Sequence, residues 1–311
     1  MIGLLVFKER LKAFYGTYSF IVNPIRKFLL SMAALILLNQ NLGFMELLKN
    51  PLLFTAVSLL SAFLPVSVLT CISAVFMMLH LYSVSFELTV ITGILVLTVA
   101  ILYSGFQPGN SIIMVITPML FFIQVPFAVP LIVGLSCGLS ALIPMCVGVF
   151  FYYLLIYAKQ NAGVLAGSAA IDITQKYTQI LDSLLSNELM ILMVLTFAAA
   201  AIVVYLIKSL SVAYAWTIAI AAGVVVELAV IFFGNSRMDV NLSVSSIIIG
   251  VLLSLALALI FQFFVFAVDY SRTEFLQFQD DDYYYYVKAV PKMTVTAPDV
   301  KVQRINKRKD S

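Results

Sequence analysis

Residues 88–158 contain no Asp, Glu, Lys or Arg. A fold in water does not keep so long a stretch free of charge, so this one belongs in lipid or in protein that lipid surrounds. The rest of the chain agrees. It is 63% hydrophobic and 11% charged, where a soluble domain carries about 25% charged residues. In lipid every backbone polar group must find its partner inside its own segment, which favours helices. The chain reads as an all-α polytopic membrane protein.

Eight spans of about 20 residues or more are expected. They are 28–48, 52–80, 88–104, 109–126, 129–157, 189–208, 212–234 and 244–270. The first is interrupted by Asn39, Gln40 and Asn41; Pro65, Pro118 and Pro144 fall inside the second, fourth and fifth. Positive charge gathers at the ends. Residues 1–27 hold Lys8, Arg10, Lys12, Arg26 and Lys27 against Glu9 alone, and residues 270–311 hold eight basic groups against six acidic ones. That bias places both termini in the cytoplasm and the chain in the cell (plasma) membrane. No cleavable signal pattern is read.

Five regions follow. Residues 1–27 are a cytoplasmic amphipathic N-terminus, broken at Asn23-Pro24. Residues 28–157 are a five-span bundle. Residues 158–188 are an extracytoplasmic amphipathic linker, with Ile173, Tyr177, Ile180, Leu181 and Leu184 at helical spacing. Residues 189–270 are a three-span bundle, and 271–311 a cytoplasmic tail.

The five-span bundle holds an internal similarity. LSAFLPVSV (60–68) and LSALIPMCV (139–147) stand 79 residues apart, and Pro51-Leu52 matches Pro130-Leu131 at the same offset. Units 30–80 and 109–159 are each a broken span followed by a Pro-started one. With LSAxxP read as a kink, the parity of spans makes the units an inverted repeat, a device in which helix breaks meet at a substrate site. With LSAxxP read as a junction of two crossing half-helices, the units run parallel.

Polar residues in apolar surroundings are the candidate site residues. Glu227 lies in AIAAGVVVELAVIFFG. It is either a proton carrier, cation ligand or substrate contact, or a group near the outer headgroups capped by Arg237. Asn39, Gln40 and Asn41 suit a bundle interior or cavity. Gln124 and Gln262 read as interhelical bonds. Ser246, Gly250, Ser254 and Ala258 form a small-residue stripe for close helix packing. Cys71, Cys137 and Cys146 read as packed thiols, and His80 has no second histidine with which to hold a metal. No catalytic constellation, metal site, cofactor or nucleic-acid partner is expected.

The tail contains QDDDYYYYVKAVPK at 279–292. Tyr283, Tyr284, Tyr285 and Tyr286 are β-prone, and 293–303 alternates with a period of two, so two short strands are expected around Pro291. Such a strand suits docking on a partner's sheet. The DDDYYYYVKAVPK string after VDYSRTEFLQF resembles poorly characterised polytopic membrane proteins of anaerobic Firmicutes, often labelled ABC transporter permease. The resemblance covers mainly residues 267–293. It implies a transport role and an ATPase on another chain, since no GxxxxGK[ST] occurs here. It carries over no site residues.

The expected function is therefore a permease-like component of a transport system, and not an enzyme. Its partners would be the bilayer and an ATPase subunit or other cytoplasmic protein bound through residues 278–303. The alternative is a membrane scaffold that recruits cytoplasmic partners through the tyrosine tail.

Overall fold

The computed structural model describes residues 2–106, 110–167, 173–238, 240, 243–266 and 274–291. They form eleven α-helices and one β-hairpin. The helices are α1 (Ile2–Asn41), α2 (Pro51–Phe63), α3 (Val66–Tyr82), α4 (Phe86–Phe106), α5 (Ile112–Phe122), α6 (Ala128–Ser136), α7 (Leu142–Gly167), α8 (Ile173–Leu185), α9 (Glu188–Lys208), α10 (Ala215–Met238) and α11 (Val244–Phe266). The strands are β1 (Glu274–Gln279) and β2 (Tyr284–Ala289). Two compact units result: Phe20–Phe266, and Met1–Ser19 with Ala267–Ser311.

Among the described residues, five helical stretches are long and apolar enough to cross a membrane: Gly3–Asn41, Leu139–Gly167, Glu188–Lys208, Ala215–Met238 and Val244–Phe266. The chain is thus an all-α, membrane-embedded protein.

Local sequence explains the ends. Asn50 accepts the Leu52 N–H at 3.0 Å with Pro51 in the first turn, which starts α2. Asn187 accepts from the Met190 N–H, which starts α9. Ser85 accepts the Leu88 N–H and gives its own hydroxyl to Glu87, which starts α4. The N-terminal helix departs from helical geometry at Tyr18 and runs through Pro24. The break expected at Asn23-Pro24 therefore falls one to two turns earlier. Near its start a helix has few bonds for a proline to disrupt.

Two expected spans are each two helices. Segment 52–80 divides into α2 and α3, with Pro65 at the N-cap of α3. Segment 129–157 divides into α6 and α7 through Cys137, Gly138 and a 3-10 turn at Leu139–Ala141. Pro144 is not the breaking point. It sits buried in the first turn of α7, where no backbone donor is missed.

Contacts fix the directions within the Phe20–Phe266 unit. Lys27 bonds the Leu64 carbonyl at 2.8 Å, and further along Leu35 packs with Phe76, so α1 and α3 run together. Leu69 packs in one cluster with Val115, and further along Met77 and Phe122 share another, which sets α5 parallel to α3. Thr117 meets Gly148 and Phe121 stacks on Tyr152, which sets α7 parallel to α5. In the other sense, α9 meets α10 head to tail, with Val204 on Gly223 and Leu192 on Gly234. Phe127 lies by Phe197 and Leu135 by Lys208, so α6 follows α9. Trp216 stacks on Phe266, which reverses α11 against α10.

Helices α1, α3, α5 and α7 thus run one way together, and α6 and α9 run together against α10. Each LSAxxP is a helix junction rather than a kink.

Helix α8 closes one end of the bundle. Its Ile180 and Leu184 pack among Leu42, Leu81, Leu88 and Ala158 at the ends of α1, α3, α4 and α7. Lys176 pairs with Glu87 at 3.4 Å. The amphipathic reading of 173–185 holds, with Leu181 exposed; residues 169–172 lie outside the described residues.

Candidate functional site

Helix α6 has nine residues, roughly 14 Å of helix, too short for the ~30 Å hydrocarbon core. Seven of the nine are buried, against α9, α10 and α11. A helix ending inside protein leaves terminal carbonyls that water does not reach. Here Lys208, from the end of α9, donates to the carbonyls of Leu135 (2.9 Å) and Cys137 (2.8 Å). A cation at a helix C-terminus also offsets the negative end of its dipole. Lys27 does the corresponding work at Leu64, just past the end of α2.

The chain enters α6 through a reversal at Gln124, whose φ is +64°. Val125 N–H bonds Leu120 O and Gln124 N–H bonds Phe121 O, which is a Schellman closure of α5. Gln124 therefore makes a helix cap, not the interhelical bond expected of it. Gln262 does bond between helices, to Thr217 at 2.7 Å.

Glu227 stands beside this short helix. Helix α10 continues to Met238, so Glu227 is at its middle, with roughly 17 Å of helix on either side. Its side chain is 0% exposed, and neither carboxyl oxygen has a hydrogen-bond partner among the described residues. One turn before it, Gly223 lets α10 close on Val204 and Leu131; two turns after it, Gly234 lets it close on Leu192. Between those contacts the register brings Thr196 to Ala200 of α9 alongside Glu227. Thr196 has given its hydroxyl to the Leu192 carbonyl at 2.8 Å. Arg237, the alternative cap, is exposed and lies over the Phe233 ring. The site is a fully buried carboxyl whose two oxygens meet no hydrogen-bond donor among the described residues.

The small-residue stripe faces the same region. Gly250, Ser254 and Ala258 are buried, while Ser246 is exposed. Gly250 lies against Phe127, and Ala258 packs with Leu131 and Leu135, so the stripe seats α11 on α6.

Asn39, Gln40 and Asn41 are not at a mid-span break; they form the last turn of α1. Gln40 is exposed, Asn41 gives its amide to the Leu37 carbonyl at 2.9 Å, and Asn39 Oδ1 is buried without a partner among the described residues. They do not join Glu227. His80 is buried nearby on α3 and accepts the Met45 N–H at 3.4 Å. Pro118 lies inside α5 and lines a separate apolar cavity, as does Cys71, which is exposed rather than packed.

In the smaller unit the tyrosines are paired differently from the expectation. Tyr284–Ala289 pairs antiparallel with Glu274–Gln279, with Tyr285 opposite Phe278; residues 293–303 lie outside the described residues. The aspartates make the turn. Asp280 Oδ1 accepts the N–H of Asp282 (3.0 Å) and of Tyr283 (2.7 Å), and Tyr285 gives its hydroxyl to Asp280 Oδ2 (2.9 Å). Those bonds hold the Asp280 carboxyl below its ordinary range, the tyrosine bond most of all, and raise the Tyr285 phenol.

Sequence reasoning missed Lys208 and Lys27 as helix caps. Their signal was a lysine at the edge of an apolar run, read there only as charge. No family model matches the chain, and no curated protein or solved structure does either.

Proposed function

We propose that the chain is a permease-like integral component of a transport system, multi-pass in the cell (plasma) membrane with both termini cytoplasmic. The observation that carries this reading is Glu227, fully buried at mid-helix with both oxygens unpartnered. An unpaired carboxyl at that depth is costly, and a proton, a cation or an amine brought by a substrate relieves the cost. The short helix α6 beside it supports the same reading, because helices that end inside a bundle line transport sites. The basic residues of 1–27 and 270–311 support two cytoplasmic ends. The tail's resemblance supports a separate ATPase as the energy source.

The test is solute-dependent flux in proteoliposomes containing the full chain and any co-purified subunit, challenged with cations, amines, amino acids and peptides. Flux present in the wild type and lost in Glu227→Gln supports the site. Undiminished flux in Glu227→Gln removes Glu227 from the pathway.

The hairpin favours a second reading, a scaffold for cytoplasmic partners. Tyr283, Tyr284 and Tyr286 are 66%, 68% and 77% exposed, and a two-stranded hairpin is marginal without something to pack on. Co-purification with the full chain and with a chain ending at Leu276 separates the readings. An ATPase lost on truncation fits the transporter, and other cytoplasmic proteins lost in its place fit the scaffold.

A further inference from the structure

A cavity of about 320 Å³ lies among α1, α3, α4, α5 and α7, at the low end of the ~300–1,000 Å³ of small-molecule sites. Helices α1, α3 and α5 run the same way along it, which gives it two unlike ends. One end holds Ser67, Thr70 and Ser111; the other holds Met77, Phe122 and Leu155. Ser111 is 5% exposed, and its hydroxyl and that of Thr70 have no partner among the described residues. The apolar end packs into the cluster beneath α8.

The hydroxyl end lies at two helix starts and near a lysine. Helices α3 and α5 both begin there, and neither has a side-chain cap on its first N–H groups. Two helix starts aim positive dipole ends at one place. Lys27 stands there too. It bonds Leu64, three residues before Ser67, and lies one turn before Leu30, which packs with Ile112 beside Ala34. Its ammonium has two further donors. No carboxylate lines the cavity.

We propose that this cavity binds an anionic phospholipid of the bilayer. One acyl chain fills the apolar end, and the phosphate sits at the Lys27 end, on the N-termini of α3 and α5 and the hydroxyls of Thr70 and Ser111. Unpartnered buried donors at one end and bare hydrocarbon at the other match an amphiphile, and the sign of the polar end selects an anion. The site rests on the membrane-embedded reading and is independent of Glu227 and of transport.

The experiment uses the full chain in phosphatidylcholine vesicles with a trace of acyl-chain spin-labelled phosphatidylglycerol. The readout is the motionally restricted fraction by electron paramagnetic resonance. Labelled phosphatidylglycerol is expected to be held in preference to labelled phosphatidylcholine. Lys27→Gln weakens that preference about fivefold, the weight of one lysine at an anionic lipid, and Lys27→Arg keeps it. Ala74→Phe, which fills the cavity wall, removes the restricted component whatever the headgroup. The proposal is overturned if neither Lys27→Gln nor Ala74→Phe changes the restricted fraction. It is equally overturned if a spin-labelled free fatty acid displaces the phospholipid, since the occupant is then a carboxylate.

Discussion

Lys208 donates to the carbonyl of Leu135 at 2.9 Å, across 73 residues of sequence. The bond closes a helix that ends inside the bundle, and Cys137 shares it at 2.8 Å. Replacing Lys208 with Met keeps the stem and strips the donors, leaving buried carbonyls unmet. The expected loss is about 1–3 kcal/mol of stability, read from unfolding in mild detergent. Lys208→Arg restores most of it. A Met variant as stable as the wild type refutes the cap.

Val204 is the shared neighbour of two glycines. A Cβ on Gly134 would lie 2.7 Å from Val204 Cβ, and one on Gly223 would lie 2.5 Å from Val204 Cγ2. Gly223→Ala is expected to cost about 1–3 kcal/mol through overpacking. Adding Val204→Ala relieves part of that, so the double variant is more stable than the sum of the singles predicts. Simple additivity in a double-mutant cycle removes the shared contact.

Glu227 separates stability from function. A structural carboxyl would be missed by the fold; an unpartnered one is not. Glu227→Leu is expected to leave thermal stability equal or higher, since an apolar side chain of similar size removes an unsatisfied buried polar group. Flux in proteoliposomes is expected to vanish in the same variant. A marked drop in melting temperature would show that the carboxyl holds the helices together.

The hairpin turn carries a pH signature. Asp280 has its carboxyl lowered from an ordinary 3.8. Its contribution is present above that value and fades as pH falls through the lower, folded one. Tyr285 is raised from an ordinary 10.0. Its contribution is present below that value and is lost as pH rises through the higher, folded one. Amide signals of Asp282 and Tyr283 in the full chain, followed by NMR, are expected to hold across neutral pH and change at both extremes. Asp280→Asn removes the acid limb. An acid transition unchanged in that variant assigns it to another group.

What the residues determined by themselves is the solvent and the class of structure. The uncharged stretch 88–158 excludes water, and backbone pairing in lipid then requires helices. Helix α8 was legible for a similar reason, because its polar and apolar positions alternate with a helical period. The places of the breaks were marked as well, at the two LSAxxP motifs, but not their consequence. Whether a proline kinks a span or parts two helices depends on what meets the freed carbonyls, and the groups that do so come from far along the chain. Lys27 reaches Leu64 and Lys208 reaches Leu135, and no local pattern announces either. Only the tertiary structure therefore decided that each of these segments parts into two helices. The same holds for the site. Sequence singled out Glu227, but its burial without a partner follows from Gly223 and Gly234 drawing α9 against α10, a long-range packing event that a residue's own neighbours do not encode.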